Sequence, residues 1–112
     1  MNLQYAVERL YQTGWSTLGE WELDRLPDGR AFPSLVAIKR EFARAGLDLS
    51  IKHNLIFNCH RATWGPAGEV LDERHATDES HGTVIGACER EAAVYALAQL
   101  RAAQAERQPA LA

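Results

Sequence analysis

The chain is poor in the residues that brace small exported domains. Among its 112 residues are two cysteines, Cys59 and Cys88, four prolines and a single methionine. Two thiols make no disulfide framework, and reduced cysteines in a cytoplasmic setting are the default expectation. No stretch approaches the roughly 18 consecutive apolar residues of a membrane-spanning helix, so no membrane partner is expected. No export signal is expected either, because the segment MNLQYAVERL places Glu8 and Arg9 where the apolar core of a leader would lie. Basic charge is in deficit: twelve Lys and Arg stand against fifteen Asp and Glu, for a net charge of −3. Domains that bind nucleic acid more often carry a basic balance or a basic stripe. Large apolar residues are scarcer than the 46% hydrophobic content suggests, since eighteen of those residues are alanine. The core must therefore come from close helix packing. The length suits one domain, residues 1–112.

The charge that is present is segregated. Residues 1–29 carry two basic and five acidic groups, residues 30–61 six and two, and residues 62–112 four and eight. An acidic chain thus holds a +4 centre between flanks of −3 and −4. Lys39, Arg40, Arg44 and Lys52 belong to that centre. They form, with Arg90, the candidate set for a phosphate backbone. The ordinary alternative is a solvated helix face.

Hydrophobic periodicity divides the chain into elements. Leu3, Ala6, Val7 and Leu10 fall on one helical stripe, so residues 2–13 are expected as a helix capped by Asn2 and ended by Gly14. Residues 15–32 show no clean period. They contain Trp15, Trp21 and the turn signal Pro27-Asp28-Gly29, and two indoles in so short a connector predict that it packs back as a lid. Together residues 1–32 form an expected N-terminal cap. Ser34 is a good N-cap for a second helix over 34–45, with Gly46 at its C-terminal exit. Alternation then takes over. Leu47, Leu49 and Ile51 predict a strand, His53-Asn54 a tight turn, and Leu55, Phe57 and Cys59 a second strand running to Trp64. Gly65-Pro66-Ala67-Gly68 breaks the pattern. Residues 65–81 read as a mobile acidic insertion with a short extension at Val70-Leu71. Gly82–Gly86 is a β-branched run and predicts a third strand. Residues 88–106 are the strongest helix, with one alanine-rich apolar face, and 106–112 a frayed tail. The expected fold is α+β: a three-stranded antiparallel sheet with helices on one face, plus the N-terminal helix.

From Pro33 onward the order is helix, three strands, helix, and over residues 33–105 this resembles the double-stranded RNA-binding domain. Two stretches carry the resemblance, PSLVAIKREFARAGLDLSI and GTVIGACEREAAVYALAQL. In that likeness Cys88 takes the family's serine position, and Ala92, Ala96 and Leu97 take the alanine positions that contact the sheet. The resemblance implies the α-β-β-β-α core. The family's phosphate-gripping basic trio falls on Glu89, Arg90 and Ala93, where only Arg90 matches. Its glycine-proline-histidine loop is replaced by the short turn at His53-Asn54. The resemblance therefore implies the fold and not the grip on duplex RNA.

Other chemistry is thin. Cys59, His60, His75, His81 and Cys88 include metal-ligating types, but Cys59 and His60 are neighbours on a strand and point to opposite faces. Cys88 at a helix start with His81 is the thiol-enzyme hypothesis, opposed by Glu89 and Glu91 beside the thiol. Asp24, Asp28 and Gly29 match part of a calcium loop, which fails at Leu26 and Leu35. No catalytic residue, metal or cofactor is assigned. The expected role is a non-catalytic binding module with a protein partner, reached through Trp15 and Trp21; duplex RNA on the basic set is the runner-up and a thiol-dependent enzyme the third reading.

Overall fold

Local signals place the helices close to expectation. The computed structural model describes residues 3–18, 21–66 and 82–107. Helix α1 spans Leu3–Gln12 and buries Ala6, Val7 and Leu10, the stripe its periodicity marks. Asn2, its expected cap, lies outside the described residues. Helix α2 spans Leu35–Arg44, with the Ser34 hydroxyl accepting the Ala37 N–H at 3.2 Å. Gly46 ends the exit turn at φ +77°, a conformation that costs glycine little. Helix α3 spans Glu89–Arg107.

The connector contains more order than its sequence suggests. Strands β1 (Leu23–Arg25) and β2 (Ala31–Pro33) pair antiparallel, with Leu23 opposite Pro33. Strands of three residues are too short for alternation to register, which is why the period was absent. The turn between them holds the expected Asp28 and Gly29, Gly29 at φ +95° and its N–H donating to the Leu26 carbonyl. The tryptophans do pack inward: Trp15 is buried and lies between Tyr11, stacked at 5.6 Å, and Trp21, edge-on at 5.6 Å. Tyr11 Oη donates to the Ala31 carbonyl, tying α1 to β2.

The main sheet has the order β3-β4-β5, with β3 at Leu47–Asn54, β4 at Cys59–Pro66 and β5 at Gly82–Gly86. Both β3–β4 and β4–β5 are antiparallel. The architecture is thus α+β, with three helices and two antiparallel sheets among the described residues, rather than one sheet alone. Register fixes which side chains share a face. Leu49 opposite Trp64 and Ile51 opposite Ala62 place the apolar set on the helix side, with Val84 beside Ala62. Ser50, Lys52, Arg61, Thr63 and Thr83 fall on the other side.

Two expectations for this sheet fail. The turn is not at His53-Asn54; β3 continues through both and the chain reverses over Leu55–Asn58. A two-residue hairpin turn wants φ > 0 at its centre, for which His53-Asn54 offers no glycine. The chain instead turns on two asparagines. The Asn54 side chain accepts the N–H of Ile56 at 3.0 Å and of Phe57 at 3.3 Å, and Asn58 takes φ 48°. Nor does Gly65-Pro66 break the strand: Pro66 closes β4 opposite Leu47, at the end of the ladder, where a missing N–H costs little. Residues 67–81, including Val70-Leu71, lie outside the described residues.

The core explains the alanines. In α3 the residues Ala92, Ala93, Val94, Ala96, Leu97, Ala98 and Leu100 are all buried. At about 100° per residue these span roughly two thirds of the circumference, wider than the single face expected, because Val94 and Ala98 are buried too. The sheet and α2 occupy one side of α3 and α1 the other. Small side chains on both sides allow that sandwich. Gly86 belongs to the same fit, since a Cβ there would stand 2.5 Å from the Ala92 backbone nitrogen. Gly82 leaves room for the Trp64 ring, which meets Phe42 edge-on at 5.4 Å.

Candidate functional site

The hairpin tip carries three of the four most exposed large apolar side chains of the described residues, and the only three that are consecutive. Leu55 is 81% exposed, Ile56 87% and Phe57 76%. They follow one another on a four-residue loop held by the Asn54 side chain, so the two backbone donors in the loop's middle are satisfied internally. Behind the tip, His53 and His60 face each other across the ladder and their rings stack at 4.5 Å. His53 Nε2 also lies 3.2 Å from Asn58 Oδ1. One step further back Lys52 stands opposite Arg61. The neck is therefore polar and basic, and no acid occurs in sequence between Asp48 and Glu69. Alternation predicts Leu55 and Phe57 as part of the second strand, and the structure places them in the turn instead. The available signal was the pair of asparagines bracketing the apolar run in Asn54-Leu55-Ile56-Phe57-Asn58.

The candidate phosphate-binding residues are not brought together. Lys39, Arg40 and Arg44 are exposed on α2, Arg44 pairing with Glu41 at 3.6 Å. Lys52 lies on the opposite side of the sheet from α2. Arg90, in the first turn of α3, pairs with Asp24 at 3.6 Å. Trp15 is buried in the cap and Trp21 half-buried, so a partner at the connector meets Trp21 and not Trp15.

A shallow depression of about 590 Å³ lies where α2 and α3 begin. Leu3, Leu35 and Val36 line it together with Asp24, Cys88, Glu89 and Arg90. Cys88 is exposed, yet its sulfur is occupied as a helix cap: Sγ accepts the Glu91 N–H at 3.4 Å. The Glu91 carboxylate accepts the Ala87 N–H in return, a variant of the capping box in which the carboxylate reaches the residue before the cap and cysteine stands in the serine place. Glu91 is fully buried there. Burial, with that carboxylate nearby, pushes the Tyr95 hydroxyl above its ordinary value. His81 and His75 lie outside the described residues, and among the described residues no three His, Cys, Asp or Glu side chains gather as metal ligands.

No protein-family model matches the chain, and no curated protein or solved structure matches it significantly. Among the described residues, no helix is long and apolar enough to cross a membrane.

Proposed function

We propose that this chain is a non-catalytic, cytoplasmic binding module, built on a core like that of the double-stranded RNA-binding domain, and that the β3–β4 hairpin tip is its contact element. One observation carries the reading: Leu55, Ile56 and Phe57 stand exposed in succession on an internally hydrogen-bonded loop. Exposed apolar clusters of this kind mark sites of contact, whereas scattered single residues do not. The cap occupying Cys88, and the carboxylates around it, support a non-enzymatic role. The test is a photoreactive residue introduced at position 56 and, separately, at Thr83 on the open face of the sheet. Position 56 is expected to give discrete macromolecular adducts in the cells that make the protein, and position 83 none. Equal labelling from both, or none from 56, overturns the reading.

A second reading is supported by the exposed side of α2. Lys39, Arg40 and Arg44 lie within about two turns of that helix and present positive charge to solvent. Duplex RNA on this helix predicts salt-dependent binding abolished by Lys39→Glu with Arg40→Glu. RNA binding indifferent to those two changes counts against it.

A further inference from the structure

We infer that the hairpin tip docks on a second copy of this chain, in the acid-flanked depression between the starts of α2 and α3, and that the exchange is reciprocal; this rests on the reading of the tip as the contact element. The two surfaces are complementary in character. The tip offers three exposed apolar side chains with Lys52 behind them and no acid nearby in sequence. The depression offers Leu3, Leu35 and Val36, flanked by the acids Asp24 and Glu89 and by Arg90, which Asp24 neutralises, so the rim is acidic on balance. The hollow is shallow and open, with a volume of about 590 Å³ that leaves room for apolar side chains of the tip. Val36 is itself half exposed. Asp24 already pairs with Arg90, while Glu89 has no ion pair among the described residues. Glu89 is therefore the acid that Lys52 of an incoming hairpin would meet.

Position favours a two-fold arrangement. His60, two residues behind the tip, pairs with Gly86, and two residues beyond Gly86 lies Cys88 at the start of α3. Helix α2 returns along β3 through the two-residue link Ala45-Gly46, so its first turn lies toward that same end. Projection and hollow thus share one end of the molecule. A two-fold axis between two such ends satisfies both contacts at once and closes the assembly, whereas a hollow at the far end would generate filaments. The tip also enters an apolar hollow without stranding donors, because Asn54 already takes the N–H groups of Ile56 and Phe57. Two small contacts of this kind make a reversible dimer, not an obligate one.

Sedimentation velocity of the full chain over a concentration series tests this. The wild-type chain is expected to pass from monomer to dimer. Ile56→Ser with Phe57→Ser is expected to weaken dimerisation by more than about tenfold while the thermal midpoint, read at concentrations where the chain is monomeric, stays nearly constant. Lys52→Glu and Glu89→Lys are each expected to weaken it about threefold or more, and an equimolar mixture of the two to regain the dimer, because opposite charges again face each other. A chain that stays monomeric, a dimer indifferent to the tip, or a mixture no better than its components overturns the inference. A monomer that crosslinks to another protein from position 56 also overturns it, while the contact-element reading stands. A monomer that floats with phosphatidylglycerol vesicles through its tip does the same. Failure of both dimer and tip crosslinking overturns both.

Discussion

At the scale of single residues, much of the fold turns on positions where a small change has a backbone consequence. Gly86 faces the backbone of Ala92, which cannot swing aside as a side chain can. Gly86→Ala is therefore expected to lower stability by about 1–3 kcal/mol in urea unfolding, as overpacking does. Cys88 acts through its sulfur as a cap. Cys88→Ala is expected to cost about 1 kcal/mol, while Cys88→Ser, with a better acceptor in the same place, keeps or raises stability. A thiol whose task is chemical would show the opposite order of concern, with activity lost in both. Asp28 is held below its ordinary value, first by the Arg30 backbone N–H and further by the Arg30 guanidinium. A carboxyl whose folded value is depressed adds stability above its unfolded value and loses it as pH falls through the folded one. Carboxyl NMR is expected to show Asp28 titrating below 3.8, and Arg30→Ala to leave part of the depression, because the backbone donor remains. The group is exposed, so its effect on unfolding is small and fades with salt.

At the scale of elements, the contrast between tip and core separates binding from stability. Replacing Leu55, Ile56 and Phe57 together by serine removes three exposed side chains, and the thermal midpoint is expected to move by no more than the equivalent of about 0.5 kcal/mol per site. Phe42→Ala opens a cavity under Trp64 and is expected to cost about 3–5 kcal/mol. The same contrast shows what the sequence could reveal. The helices were legible because stripes such as Ala6, Val7 and Leu10, and the cap at Ser34, are local signals. Strand β5 was legible because glycines bound it, each with a packing reason. The tip was not, since Leu55 and Phe57 keep the alternation of a buried strand, and only the hydrogen bonds of Asn54 and the left-handed Asn58 decide that the chain turns there. Strands β1 and β2 were hidden by their brevity. The basic set looked coherent in sequence because Lys39 to Lys52 are neighbours along the chain; the sheet then separates Lys52 from α2.

At the scale of the whole molecule, the only run of consecutive exposed large apolar side chains among the described residues lies at one end. Helix α1 covers the outer side of α3, and Arg101 Nε donates to Thr13 Oγ1 at 3.0 Å to secure the end of the cap. The connector fills the remaining side through Trp15 and Trp21. What remains is a projecting apolar tip with a basic neck and, at the same end, an acid-flanked apolar hollow. The charge segregation along the chain, a +4 centre between acidic flanks, acquires a spatial meaning: the tip and its Lys52 come from the centre, and the two acids of the hollow, Asp24 and Glu89, come from the flanks. The most direct measurement is a disulfide trap. Ile56→Cys in a Cys59→Ser background, oxidised in air with copper phenanthroline, is expected to give a covalent dimer joined from position 56 of one copy to Cys88 of the other, and Cys88→Ser is expected to abolish it. A chain that remains monomeric, or a dimer that survives loss of Cys88, contradicts the account.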